Sequence, residues 1–273
     1  MLNLINLTFH YRKKPALFKD FSLNVQQGSI VGLLGKNGAG KTTLLNLLAG
    51  LMPPQSGDIL LNGYVPFERH PSFLADVYLV TEEFEFPQVT IETYVKAYSP
   101  LYPSFDVIKL AGILQEFELD TTSKLNQLSH GQRKKFLIAF ALSSNCAVLL
   151  LDEPTNGLDI PSKSQFRKVL VSSVTDDQLV IISTHQVKDV DTILDKLVVI
   201  DNGVLLLEET IENLNQRYYF DTVTKLQGMD PILYHEPCSM GYKIIKPVDD
   251  GHESPLDMEL FFNAVINHAL NQD

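Results

Sequence analysis

Cysteine is scarce in this chain: Cys146 and Cys238 are the only two, and neither sits in metal-ligand spacing. A disulfide-stapled secreted framework and a cysteine metal centre are therefore excluded, and Cys146, opening an apolar run, reads as a buried thiol. Long hydrophobic runs are missing too. Stretches such as Cys146–Leu151 fall far short of the roughly 20 apolar residues that span a bilayer. The first residues, MLNLINLTFHYRKK, do not form a basic segment followed by a continuous apolar stretch, so no signal peptide is read and a soluble, cytoplasmic chain is expected. Positive charge is in deficit: 22 Lys and Arg stand against 33 Asp and Glu, a net charge of -11, with most of the acidic excess in residues 208–273. Sequence-independent nucleic-acid binding needs a cationic face that replaces phosphate counterions, so no nucleic-acid partner is expected. Internal repeats, low-complexity tracts and sustained heptads are also lacking.

What is present is an alternation of strand and helix patterns in 273 residues, enough for one large α/β domain and an appendage. Residues 2–10 and 21–25 alternate as half-buried strands do. SIVGLLG (29–35), AVLLLDEP (147–154) and LVIISTH (179–185) are continuous apolar runs suited to buried parallel strands. Residues 58–63 and 77–80 add short strands. Helical periodicity marks 41–49, 90–98, 106–117, 130–143, 160–173 and 186–194, and Asn202-Gly203 joins two strands in a hairpin. The pattern predicts a mostly parallel sheet wrapped by helices, with a helical insert over about 87–145. The main domain is expected to cover 1–216. Residues 217–273, rich in turns at Gly228, Pro231, Pro237, Gly241 and Gly251, are read as a small accessory subdomain ending in an amphipathic stretch, Leu256–Leu270.

GKNGAGKT (35–42) fits Gly-x-x-x-x-Gly-Lys-Ser/Thr and lies where that motif needs to lie, after a buried strand and at the start of a helix. Gly35, Gly38 and Gly40, with Asn37 and Ala39 between them, turn the backbone so that its N–H groups face a phosphate chain. Lys41 reaches the β- and γ-phosphates, and Thr42 offers a hydroxyl to magnesium, with Thr43 beside it. VLLLDEP (148–154) ends a neighbouring strand in two acids: Asp152 is the expected metal carboxylate, and Glu153 the group that polarises the attacking water. LSHGQRKK (128–135) opens an apolar helix, with Ser129 in the N-cap position and free N–H groups that could bind an anion.

The order GKNGAGKT, LSHGQ, LLLDEPTNGLD and STH resembles the ATP-binding cassette (ABC) family over about residues 2–210, with LSHGQ similar to its LSGGQ signature. YPSFD (102–106) through DEPTNGLD is also similar to exporter-type bacterial cassettes, which pair with separate membrane subunits. The resemblance implies a P-loop NTPase fold with a mostly parallel core sheet, an N-terminal antiparallel β-subdomain, a helical insert and a small C-terminal extension. It implies ATP and Mg2+ as ligands and head-to-tail pairing with a second ATPase subunit, expected to be a homodimer. Ser129, Gly131 and Gln132 would then contact the γ-phosphate held by the opposite subunit, Asp159 would sit at the seam, and His185 would hold the γ-phosphate and water. Tyr11 resembles the aromatic that stacks on adenine. The implied function is ATP hydrolysis coupled to transport, with export as the expected direction. The chain would lie on the inner face of the membrane through an integral permease, met by the helical insert, where Phe84, Phe86 and Tyr94 could be exposed apolar contacts.

Two positions depart from the family pattern. His130 replaces the second glycine of the signature, and Glu82 falls where the family's loop glutamine is expected, with Gln88 as another candidate. Glu82 could still hold magnesium, but it adds negative charge beside the γ-phosphate. Two other functions compete with this one. A translation-factor or DNA-repair cassette is disfavoured by the single signature, the missing heptads and the acidic charge. A cassette that binds without turnover is disfavoured by Lys41, Asp152, Glu153 and His185.

Overall fold

The computed structural model describes residues 1–228, 231–248 and 254–270. Gly251 and the last three residues of the chain lie outside this range. The alternation of residues 2–10 becomes β1 (Leu2–His10), with Leu2, Leu4, Leu7 and Phe9 buried. The three-residue step from Leu4 to Leu7 breaks strict alternation. A register shift there absorbs it, with Asn6 at φ 50, a region asparagine tolerates. β2 (Ala16–Val25) begins earlier than the expected 21–25. With β4 (Ser56–Leu61) it flanks β1 in an antiparallel sheet of order β2-β1-β4.

Between β2 and β4 lie β3 (Ser29–Leu34) and α1 (Lys41–Leu48). A short helix α2 (Pro71–Leu74) leads to β5 (Val77–Val80), then α3 (Ile91–Tyr98), α4 (Val107–Glu116) and α5 (His130–Ser143). β6 (Val148–Asp152), α6 (Ile160–Ser173), β7 (Leu179–Thr184), β8 (Lys196–Asp201) and β9 (Val204–Thr210) follow. The main sheet has the order β5-β6-β7-β3-β8-β9 and is parallel except for the β8–β9 hairpin. Asn202 and Gly203 both have positive φ in that turn, as a two-residue hairpin connection demands. Side chains from the central strands alternate between two hydrophobic clusters. Val148 and Leu150 join the N-terminal sheet and α1 on one side; Leu149 and Leu151 join α3 to α6 on the other. Burial on both faces explains why these strands read as unbroken apolar runs.

One expected helix is absent. Residues 186–194 form two 3₁₀ turns, Val187–Asp189 and Asp191–Ile193. Their buried residues, Val187, Val190 and Ile193, recur every third position, the period of a 3₁₀ helix rather than of an α-helix.

After α7 (Ile211–Arg217), β10 (Tyr218–Val223), β11 (Tyr234–Cys238) and β12 (Gly241–Pro247) form a second antiparallel sheet of order β10-β12-β11. α8 (Met258–Ile266) closes the described chain. Phe261 is fully buried and meets Tyr218 and Phe220 at centroid distances of 5.4 and 6.4 Å. Met258, Phe261 and Val265 belong to the same cluster as Leu197 and Val199 of β8, so the tail shares core with the main sheet.

Candidate functional site

The loop from Gly35 to Gly40 joins the end of β3 to the start of α1. A Cβ on Gly35 would stand 2.4 Å from the carbonyl oxygen of Ile200, so only glycine lets the loop leave the sheet there. Gly40 caps α1 at φ 111 with no side-chain hydrogen bond, which leaves the first-turn N–H groups of the helix to an incoming anion. Lys41 is buried, and its Nζ donates to the carbonyls of Gly35 (2.8 Å) and Lys36 (3.4 Å). Burial pulls the Lys41 pKa below the usual lysine value, opposed by the charges of Glu153 and Asp152.

The two acids at the end of β6 lie in different settings. Asp152 is buried and accepts a hydrogen bond from the Ser183 hydroxyl of β7. Glu153 turns the chain at φ 45, in the left-handed region that costs a residue with a Cβ about 1–2 kcal/mol. Its N–H is held by the carbonyl (3.1 Å) and hydroxyl (3.2 Å) of Ser183. Glu153 Oε1 lies 2.8 Å from His185 Nδ1 and 3.7 Å from Lys41 Nζ. An imidazole and the loop lysine therefore meet on one buried carboxylate.

Lys41, Glu153 and His185 line a cleft of about 740 Å³, within the ordinary range for small-molecule sites, and Asp152 lies behind its lining. Tyr11, Asn37, Gly38, Ala39, Gly40, Thr42 and Thr43 line it as well, together with Glu82 and Asn156. The Tyr11 hydroxyl meets Thr43 Oγ1 at 2.8 Å, which holds the ring at the edge of the cleft. Glu82 accepts a hydrogen bond of 2.7 Å from Asn156 Nδ2.

Ser129, Gly131, Gln132 and Asp159 lie elsewhere. Ser129 caps α5: its Oγ accepts the Gln132 N–H at 3.2 Å, and Gln132 Oε1 accepts the Ser129 N–H at 3.0 Å. The carbonyl of Gln132 is thus used within its own helix end. Asp159 caps α6 through the Ser162 N–H at 2.9 Å. His130 stacks on Phe84, with centroids 5.5 Å apart and planes 18° apart, a contact glycine could not make. Phe84, Phe86 and Tyr94, considered from the sequence as exposed contacts, are instead partly buried against the helical core. The exposed large apolar side chains of this region are Tyr98, Leu101, Val107 and Ile108, of which Ile108 is the most open at 82%.

Two contributors escape the motif reading. Asn156 lies within a quoted motif, yet its contact with Glu82 depends on two distant segments meeting. Lys134 is fully buried, with Nζ 2.8 Å from the Glu153 carbonyl and 3.2 Å from that of Asn156. Helical spacing from Lys134 to Leu137, Ile138 and Ala141, all buried, was the available signal.

A family model described as "ABC transporter" matches residues 18–156. The chain belongs to the ABC transporter family. As an ABC cassette it binds ATP and is an ATPase. It is 28% identical over 254 residues to the ABC transporter ATP-binding protein YtrB of Bacillus subtilis, covering 89% of this chain and 86% of that one. It is 32% identical to the SkfA peptide export ATP-binding protein SkfE of the same organism, covering 76% of this chain and 87% of that one. Among solved structures it resembles the ATP-binding cassette MJ0796, a dimer in a post-hydrolysis state bound to ADP and Pi, with a TM-score of 0.67. That match has 24% identity over 77% of this chain and 98% of the other, and it bears on the fold. The P-loop cassette fold, with its mostly parallel core and added antiparallel sheet, agrees with the architecture expected from the motifs.

Proposed function

We propose that two copies of this ABC cassette close head to tail on ATP, and that hydrolysis reopens them to drive a separate integral membrane permease. The observation that carries this reading is the division of the motifs. The phosphate loop, Glu82, Glu153 and His185 line one cleft, while the capped end of α5, with Ser129 exposed, lies outside it. A helix end with serine and free N–H groups but no phosphate site of its own suits the γ-phosphate of a facing copy.

Within the cleft, the loop N–H groups and Lys41 hold the phosphates, and Tyr11 offers its ring to the adenine. Glu153 takes the proton of the attacking water, and His185 fixes the carboxylate that does so. Among the described residues no group of three or more His, Cys, Asp or Glu could hold a metal alone, which fits an ion that draws most ligands from phosphate oxygens and water. Thr42, Asp152 and Glu82 are the residues that would hold Mg2+, whose bound charge would offset that of the phosphates.

The relatives' names, ABC transporter ATP-binding protein and peptide export ATP-binding protein, support a permease partner, through which the chain would sit on the inner membrane face. The name of SkfE supports export. No described helix is long and apolar enough to cross a membrane. Glu153→Gln with saturating ATP and Mg2+ is expected to accumulate as a dimer in sedimentation velocity. A variant that binds ATP yet stays monomeric would defeat the sandwich. Co-purification in mild detergent should bring down an integral membrane protein.

A further inference from the structure

We infer that Lys134 is a positioning residue through which the signature end of α5 sets the hydrolytic glutamate of its own subunit, so that ATP clamped at one site tunes hydrolysis at the other. The inference rests on the head-to-tail reading above, because only there does the end of α5 belong to the opposite nucleotide.

Lys134 lies five residues after the Ser129 cap, in a helix anchored by the fully buried Phe136 and Ile138, so cap and ammonium move as one body. An ammonium is costly to bury without partners, and apolar residues of like size pack such positions without that cost. Its hydrogen bonds go to two backbone carbonyls of the loop that carries the hydrolytic acid, Glu153 at 2.8 Å and Asn156 at 3.2 Å. Burial lowers its pKa, and the charges of Glu82, Glu153 and Asp152 oppose that effect.

The Glu153 residue is consequently held from two sides. β7 holds its N–H through Ser183, and α5 holds its carbonyl through Lys134. With φ at 45, its backbone sits in a narrow well, and a shift of the carbonyl re-aims the carboxylate that meets His185. The same ammonium holds Asn156, whose side chain holds Glu82, so both acids facing the cleft depend on it. A purely structural lysine would support the fold and leave communication between the two sites unchanged.

The test is steady-state ATPase against ATP concentration for the full chain, with nucleotide binding and thermal melting measured on the same preparations. Lys134→Met keeps the stem and removes the donors. It is expected to lower kcat about tenfold or more, change KM less than about threefold and bring the Hill coefficient to about 1. Lys134→Gln, a shorter donor unable to hold both carbonyls, should restore part of kcat and keep the loss of cooperativity. The proposal is overturned if Lys134→Met keeps kcat and cooperativity within about twofold of the parent, or if kcat and ATP affinity fall together with the melting temperature. Should Lys134→Met not fold, Lys134→Gln decides alone: unchanged cooperativity overturns the link, and lost cooperativity at unchanged KM supports it. A Glu153→Gln protein that dimerises on ATP while Lys134→Met keeps parental kinetics counts against Lys134 only. Absence of that dimer, with a non-cooperative parent, removes the sandwich as well.

Discussion

At the scale of single residues, three restraints converge on Glu153, the proposed base. Its backbone accepts a left-handed conformation, and its carboxylate lies between an imidazole and an ammonium. Removing the imidazole leaves the carboxylate buried but free to turn toward Lys41. His185→Ala is therefore expected to lower kcat by about 10²–10⁴-fold, the range of a lost acid–base contribution, while nucleotide titration shows ATP affinity changed only a few-fold. Equal losses in affinity and turnover would assign His185 to binding. Lys41 and Glu153 were legible as candidates in the sequence, because each belongs to a short motif whose chemistry dictates its residue types, and His185 was legible only through its place in the family's series of motifs. Lys134 and Asn156 were not, since their roles come from backbone carbonyls and side chains that only the fold brings within reach. His130 was visible as a departure, but its stacking on Phe84 was not, because periodicity says nothing about which loop lies beside a helix end.

At the scale of elements, strand and helix boundaries followed the apolar pattern wherever one period was sustained, as in α5, α6 and β5. The pattern failed at 186–194, where the two turns support only three-residue spacing. It also said little of the tail, whose order comes from packing rather than local preference. α8 reaches back to these turns through Lys188 and Glu259, 2.5 Å apart, and its N-cap is Asp257. Burial alone would raise the Asp257 pKa. Hydrogen bonds from Lys243 and the Leu260 N–H outweigh it and leave the carboxyl below its ordinary value. A depressed folded pKa gives stability that is present above the unfolded value and lost as pH falls through the folded one. Asp257→Ala is accordingly expected to cost about 0.5–2 kcal/mol at neutral pH in urea denaturation followed by far-UV circular dichroism. The gap to the parent should narrow below the ordinary aspartate pKa. A cost that stays constant from neutral to acid pH would place the effect in packing rather than in the charge.

At the scale of the whole molecule, the proposed reaction brings together two copies that each carry a net charge of -11. Like net charges repel at a distance, while the attraction proposed at the seam is short: a capped helix end and loop N–H groups around a triphosphate. Salt weakens the long-range part first, because the Debye length falls from about 30 Å at 0.01 M to about 10 Å at 0.1 M. Contacts made within a closed, partly dry seam are screened much less. The ATP-bound Glu153→Gln dimer is therefore expected to tighten several-fold between those two salt concentrations in sedimentation equilibrium, driven by faster association rather than slower dissociation. This is opposite in sign to a phosphate-backbone binder, whose affinity falls steeply over the same range. A dimer that loosens with salt would mean that exposed charge pairs across the seam, rather than the shared nucleotide, hold the two copies together.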